Sequence, residues 1–465
     1  MASFPVYLFI SVLLITTLHH YILYPCFLSP LSRIPGPKLY ALTKWRLAWD
    51  DWTGQRTRVI HALHFRYGPA VRIGPNEVHF NSLSALRTIY GAGSGFERTS
   101  FYAMFDVYGK SNMFTFVSGA EHAKRKRLLS RAYSKSGLLN HHNAESIVLE
   151  KIRDFLELVR KTEKDRNGLE IFAALHYYAI DVITTFLYGT TNFGATTALR
   201  GTSSHLDLLN DIIDPARRRL SWFAVHLPFI TTWLYTRAGI LGCFVQPILP
   251  MAKPATYSGI RSHALRAMQT FRDADQASRA EAQQSVIAEL RRAAHKHEIP
   301  MDDLDVASEC ADHLLAGIDT TSDTLMFLIW SLSLPHNAHV QQRLIEECLS
   351  IHERDLSGAV VSLKSADEMP YLNAVIKETL RLFAPLPASE PRSSPVDTVI
   401  DGHSIPRRTV CSIAPYSLHR NESVFPEPLK WKPERWLGGE IEKNVEMERW
   451  FWAFSSGARM CIGLQ

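Results

Sequence analysis

The sequence predicts one large, mainly α domain with a small β portion, carried on an N-terminal transmembrane helix. Three observations support this: an apolar run at the N-terminus, helical periodicity over most of the remainder, and short alternating stretches confined to two regions. Residues 4–24 are apolar apart from scattered hydroxyls and His19-His20. At about 1.5 Å per residue, roughly 20 residues cross a ~30 Å hydrocarbon core. Neither a positive leading region nor a small-residue cleavage site accompanies the run, which favours a retained anchor (residues 1–28) over a cleaved signal. The first cations are Arg33, Lys38, Lys44 and Arg46. Positive charge on that flank keeps it cytoplasmic and puts the short N-terminus across the membrane.

Arg33-Ile34-Pro35-Gly36-Pro37-Lys38 follows. Two prolines around a glycine stop a helix and make residues 29–40 a short, stiff hinge. A helix is expected around 43–67, then strands at 70–73 and 77–80 across Gly74-Pro75-Asn76. From Ser118 onward periodicity is helical, including 147–159, 171–188 and 263–293. Residues 303–334 form a long apolar stretch without an internal proline, expected as a buried central helix. Two shorter helices fit 363–383. Pro385, Pro387, Pro391, Pro395, Pro406 and Pro415 then exclude long helices, while 398–400 and 409–413 alternate as small strands do.

Composition narrows the function. A formal charge of +5 on 465 residues is too small for the electrostatic footprint of a nucleic-acid binder. Cys26, Cys243, Cys310, Cys348, Cys411 and Cys461 are scattered without a C-x-x-C pair, which argues against a disulfide framework or a zinc site and fits a reducing compartment.

Cys461 stands out by its neighbours. A lone cysteine is most often a small buried hydrophobe. This one lies in Phe454-Ser-Ser-Gly457-Ala-Arg459-Met-Cys461-Ile-Gly463. Gly457 and Gly463 let the backbone lie close to a flat macrocycle, backbone N–H groups there can point at a sulfur, and Arg459 can reach a propionate. The pattern Phe-x-x-Gly-x-Arg-x-Cys-x-Gly resembles the haem-binding loop of the cytochrome P-450 family, and three further motifs fall in the family's order. Ala316-Gly317-Ile318-Asp319-Thr320-Thr321 sits mid-way along the central helix. Its glycine has two readings, helix packing or room for dioxygen. The resemblance to the family's oxygen-activation segment implies the second, with Thr320 as hydrogen-bond partner and Asp319 as proton relay. Glu378 and Arg381 share a helix face at i, i+3. Arg435, in Pro433-Glu434-Arg435-Trp436, would join them in a buried structural network.

The resemblance covers the chain from about residue 30 onward, with a haem domain over 41–465, and implies haem b with Cys461 as axial thiolate. His122 and Lys126 fall where the family carries a tryptophan and a basic residue, and are expected to face the haem propionates. Lys124, Arg125 and Arg127 are expected outward, toward an acidic electron donor. Arg392 is a further propionate partner and His419 a weaker one. The implied activity is monooxygenation of a largely apolar small molecule with dioxygen and an NADPH-dependent flavoprotein reductase. The chain would be single-pass in the endoplasmic reticulum membrane, in contact with lipid, its catalytic domain cytoplasmic. By analogy the substrate pocket draws on residues 96–116, 206–250, 311–320 and 383–389. The apolar 206–250 segment reads equally as a bilayer contact or as helix packing. Hinge and loop look like those of fungal microsomal members, many of which tailor secondary metabolites. Family members continue past the cysteine as a helix and hairpin, so a haem domain lacking its usual C-terminal end is expected. Two readings stay open beside monooxygenation: an oxygen-independent haem-thiolate isomerase or dehydratase, and a truncated non-catalytic member.

Overall fold

A computed structural model describes residues 3–135, 142–164, 168–203, 205–214, 217–235, 239–245, 257–352, 362–438 and 441–464. Among the described residues the fold is mainly helical with two small sheets. Its contacts form two compact units, each built from three stretches of chain, so the division follows no linear boundary. The first comprises Met1–Phe101, Pro387–Asn421 and Arg449–Arg459; the second, Tyr102–Leu386, Glu422–Glu448 and Met460–Gln465.

In the first unit the N-terminal helix Ser3–Leu18 passes into a wider-wound helical stretch, His19–Leu28. The apolar helical run Val6–Leu28 is 23 residues long, ends four residues further than expected, and is exposed except at Pro25 and Cys26. Ser29 then caps a short turn, Pro30–Arg33, by accepting from Leu31 N at 3.2 Å. The helix expected over 43–67 is two, Trp45–Trp52 and Arg56–Tyr67. They separate where Gln55 N turns back onto the Asp50 carbonyl at 2.8 Å. Strands β1 (Ala70–Gly74), β2 (Glu77–Phe80), β3 (Glu97–Arg98), β4 (Arg392–Ser393) and β7 (Val410–Ser412) form one sheet in the order β1-β2-β7-β4-β3. Only β2–β7 is parallel, pairing Glu77 with Val410; its neighbours are antiparallel. Val71, Ile73, Val78 and Phe80 are wholly buried, so these strands form the core of this unit. Strands β5 (Thr398–Ile400) and β6 (His403–Ile405) make a separate hairpin.

The second unit is organised on the central helix Asp303–Ser333. Asp302 caps it, accepting from Asp305 N at 2.8 Å while Asp302 N donates to the Asp305 carboxylate at 3.0 Å. This reciprocal pair satisfies two of the otherwise unpaired helix-start donors. Pro335 ends the helix. Val306, Cys310, Leu314 and Ile318 pack in its core with Ile180, Leu187 and Met268 from Ile171–Tyr188 and Ser258–Asp273. Ile171–Tyr188 is apolar enough to cross a membrane, but half of it is buried among these neighbours, as befits a core helix. The helix expected over 263–293 is three, because Asp275 and Ser285 cap new starts at Ser278 N and Ala288 N. The 206–250 segment folds as short helices from Leu206–Ile213 to Gly239–Val245; its residues 215–216, 236–238 and 246–250 lie outside the described residues.

Candidate active site

On the central helix, Ala316 is exposed and Thr320, one turn on, is half-buried. Thr320 Oγ1 donates to the Ala316 carbonyl at 2.6 Å, which loosens that carbonyl from the helix ladder. Gly317 faces elsewhere. A Cβ added there would lie 2.7 Å from Cγ1 and 2.8 Å from Cδ1 of Ile183, on the neighbouring helix. Of the two readings of Gly317, the contacts favour helix packing, since its missing side chain admits Ile183, and the exposed face carries Ala316. Asp319 pairs with Arg217, Nη1 to Oδ2 3.1 Å, from the helix Arg217–His226. Asp323, a turn beyond, is pushed above the usual carboxylate range, first by burial and then by the charge of Asp319.

The cysteine loop is divided between the units. In the first, Trp452 N donates to His419 Nε2 at 2.8 Å, the His419 ring stacks on Phe451, and Trp452 Nε1 donates to Ser456 Oγ at 3.1 Å. His419 is wholly buried and holds the loop through its ring nitrogen, which corrects its expected place beside a propionate. Gly457 adopts φ +64° against the Tyr90 carbonyl, where any side chain would collide with backbone. Phe454 and Arg459 are half-buried in the same stretch. Arg392 is buried in β4, its Nη2 3.3 Å from a Glu390 carboxylate oxygen that also accepts from Ser455 Oγ at 3.1 Å. Directly opposite it in β3 is Arg98, also buried. Facing residues of an antiparallel pair project to the same side of the sheet. Two buried guanidinium groups so placed repel, and a carboxylate-bearing ligand relieves that repulsion. The first unit thus fits the propionates of a haem. Arg98 was not singled out from the sequence, because only the strand register sets it against Arg392.

In the second unit, Cys461 and Gly463 are exposed, and Lys126 Nζ donates to the Met460 carbonyl at 2.9 Å. Lys126 therefore meets the backbone of the cysteine loop. His122, one turn earlier on Gly119–Leu129, is buried. An exposed thiol has the donor chemistry for haem iron. Lys124 and Arg127 point outward; Arg125 does not, which is a correction. It is buried with Nη1 2.5 Å from Glu309 Oε2 on the central helix. Glu309 also accepts from Met113 N at 3.1 Å and lies 3.4 Å from His313 Nε2, while His313 Nδ1 is 2.6 Å from the Tyr133 hydroxyl. Burial alone would raise the Glu309 carboxyl, but the nearby His313 ring and the Arg125 charge outweigh it and hold it below the usual range. No motif pointed to this network, since its members lie in four separate stretches of sequence.

Glu378 is the most heavily bonded carboxylate of the site. It is wholly buried and accepts from Arg381 Nε and Nη2, both at 2.8 Å, Lys432 N at 2.9 Å, and Arg435 Nε and Trp436 Nε1 at 3.0 Å. Arg381 donates onward to the carbonyls of Pro428 and Lys430, and Arg435 to that of Pro426. The three charged groups tie Pro370–Leu382 to residues 426–436.

Residues 35–465 match the family described as Cytochrome P450. Similar curated proteins include the cytochrome P450 monooxygenase stcB of Emericella nidulans, 30% identical over 94% of this chain and 79% of that protein. The cytochrome P450 monooxygenase hkm5 of Aspergillus hancockii is 30% identical over 97% and 84%. The cytochrome P450 monooxygenase aflV of Aspergillus parasiticus is 28% identical over 95% and 83%.

Proposed function

The chain belongs to the cytochrome P450 family, and from that premise we propose that it is a haem-thiolate monooxygenase inserting one atom of dioxygen into a largely apolar small molecule, by hydroxylation or epoxidation, in secondary-metabolite biosynthesis. The observation that carries this reading is the pairing of an open Ala316–Thr320 face with Asp319 on the same helix. An oxygen-independent rearrangement has no use for such a proton route. A b-type haem would take Cys461 as its iron ligand, with Arg392 and Arg459 as the residues of the family pattern for its propionates, and would supply the dioxygen chemistry that side chains lack. This chain's own part is to deliver protons and exclude water. Thr320 Oγ1 exchanges the Ala316 carbonyl for an oxygen acceptor, and Asp319, placed by Arg217, resupplies its proton. Hydroxylation consumes dioxygen, two electrons and two protons, and releases one water with the alcohol. The electrons come from an NADPH-dependent flavoprotein reductase.

Val6–Leu28 acts as a single-pass anchor in the endoplasmic reticulum, with the catalytic domain cytoplasmic. Phe229, Ile240 and Phe244, exposed at 89%, 81% and 73%, favour a bilayer contact for the 206–250 segment over packing alone. The test is spectroscopic. Full-length protein, reduced and exposed to carbon monoxide, gives the red-shifted Soret band of thiolate ligation, and Cys461→Ala lacks it while Thr320→Ala keeps it. A band that survives in Cys461→Ala overturns the ligand assignment. Product without label from isotopic dioxygen overturns oxygenation in favour of rearrangement.

A further inference from the structure

The first unit holds a cavity of 530 Å³ at the end of the N-terminal apolar helix, and none of its lining residues takes part in the site above. Its size falls in the ~300–1,000 Å³ range of small-molecule pockets. Tyr21 and Tyr24 from the helix end and Trp45 from the helix Trp45–Trp52 give it aromatic walls, and Lys44 and Arg72 give it positive charge. Among the described residues, its lining contains no aspartate or glutamate.

Arg72 is the informative residue. It is 3% exposed, and its donors go to backbone carbonyls: Nη1 to Pro25 at 2.6 Å, Nη2 to Pro75 at 2.6 Å, Nε to Gly74 at 3.2 Å. Carbonyls satisfy its hydrogen bonds but leave its charge uncancelled, and among the described residues no carboxylate pairs with it. A buried cation without a counter-ion is costly, and burial accordingly lowers its pKa. An anion entering beside it removes that cost.

Position selects the anion. The cavity opens where Val6–Leu28 gives way to Ser29, the level at which tyrosine and tryptophan meet lipid headgroups. We propose that this cavity binds the headgroup of an anionic phospholipid, its phosphate beside Arg72 and Lys44 and its glycerol end against Leu31, Leu42 and Trp45. The proposal rests on the reading of Val6–Leu28 as a membrane anchor. A bound headgroup would fix the helix end to β1, since Arg72 already joins Pro25 to that strand.

Full-length protein in detergent micelles, mixed with short-chain phosphatidic acid or phosphatidylcholine, is read by native mass spectrometry. The expected result is one retained phosphatidic acid per chain, a roughly tenfold preference over phosphatidylcholine, and a similar loss in Lys44→Glu that Lys44→Arg does not show. Lys44 is exposed, so these variants leave the fold intact. Equal retention of the two lipids, or unchanged binding in Lys44→Glu, overturns the proposal. Displacement of the lipid by millimolar inorganic phosphate overturns the lipid assignment in favour of a free-phosphate site. Flotation on neutral vesicles tests the anchor separately: a chain that fails to float yet retains phosphatidic acid in micelles sinks the anchor reading and supports the cavity.

Discussion

Replacing Glu378 by alanine tests the buried charge network most directly. The substitution removes one negative charge and five accepted hydrogen bonds, leaving Arg381, wholly buried, and Arg435, nearly so, without their carboxylate. Breaking a buried ion pair by deleting one partner costs about 3–5 kcal/mol. Against a total stability of about 5–15 kcal/mol, that is about a fifth or more of what holds the fold. Carbonyls of Pro426, Pro428 and Lys430 still accept from the two arginines, which keeps the cost from rising far above this range. The assay is urea unfolding of the full chain in detergent micelles, followed by far-ultraviolet circular dichroism. The triple variant Glu378→Leu, Arg381→Met, Arg435→Met is the informative partner. Removing all the charges abolishes the desolvation cost along with the attraction, so it should be more stable than Glu378→Ala alone. A Glu378→Ala cost below about 1 kcal/mol, or a triple variant that sums the single penalties, would refute the reasoning.

Two further outcomes follow from the central helix. Gly317→Ala should lower stability by about 1–3 kcal/mol through the clash with Ile183, and Gly317→Ala with Ile183→Ala should recover part of that loss; unfolding midpoints decide, and an unchanged midpoint in the single variant rejects the packing role. Glu309 is depressed in the fold, so its stabilising contribution is full above the ordinary glutamate range and fades as pH falls through the lower folded value. The stability gap between wild type and Glu309→Gln should therefore be largest near pH 7 and shrink below about pH 4, and a gap that widens on acidification contradicts the network.

What was legible in the sequence was what neighbours in sequence decide. The central helix was expected over 303–334 and runs Asp303–Ser333, because a long apolar run without an internal proline is a local signal. Strands β1 and β2 were legible from alternation around a turn. The single helix expected over 263–293 failed because Asp275 and Ser285 compete locally as caps, a weaker signal than the apolar period that hid them. Within the site, the limits were tertiary. Nothing near Arg125 distinguishes it from Lys124 or Arg127; Glu309, far along the chain, pulls it inward. Gly317 carried two readings until Ile183 occupied its empty side. Arg98 became visible only through its register with Arg392.

The parallel pairing of β2 with β7 has a consequence for biogenesis. Strand β2 is made early, yet its partner emerges roughly 330 residues later, a wait of about 15–65 s at ordinary elongation rates. Throughout that interval one edge of the β1–β2 hairpin stays unpaired, close in sequence to a segment read as membrane-inserted. Unpaired edges are templates for wrong pairing. The sheet of the first unit is therefore among the last parts of the protein to close, later than the mostly helical content of the fold suggests.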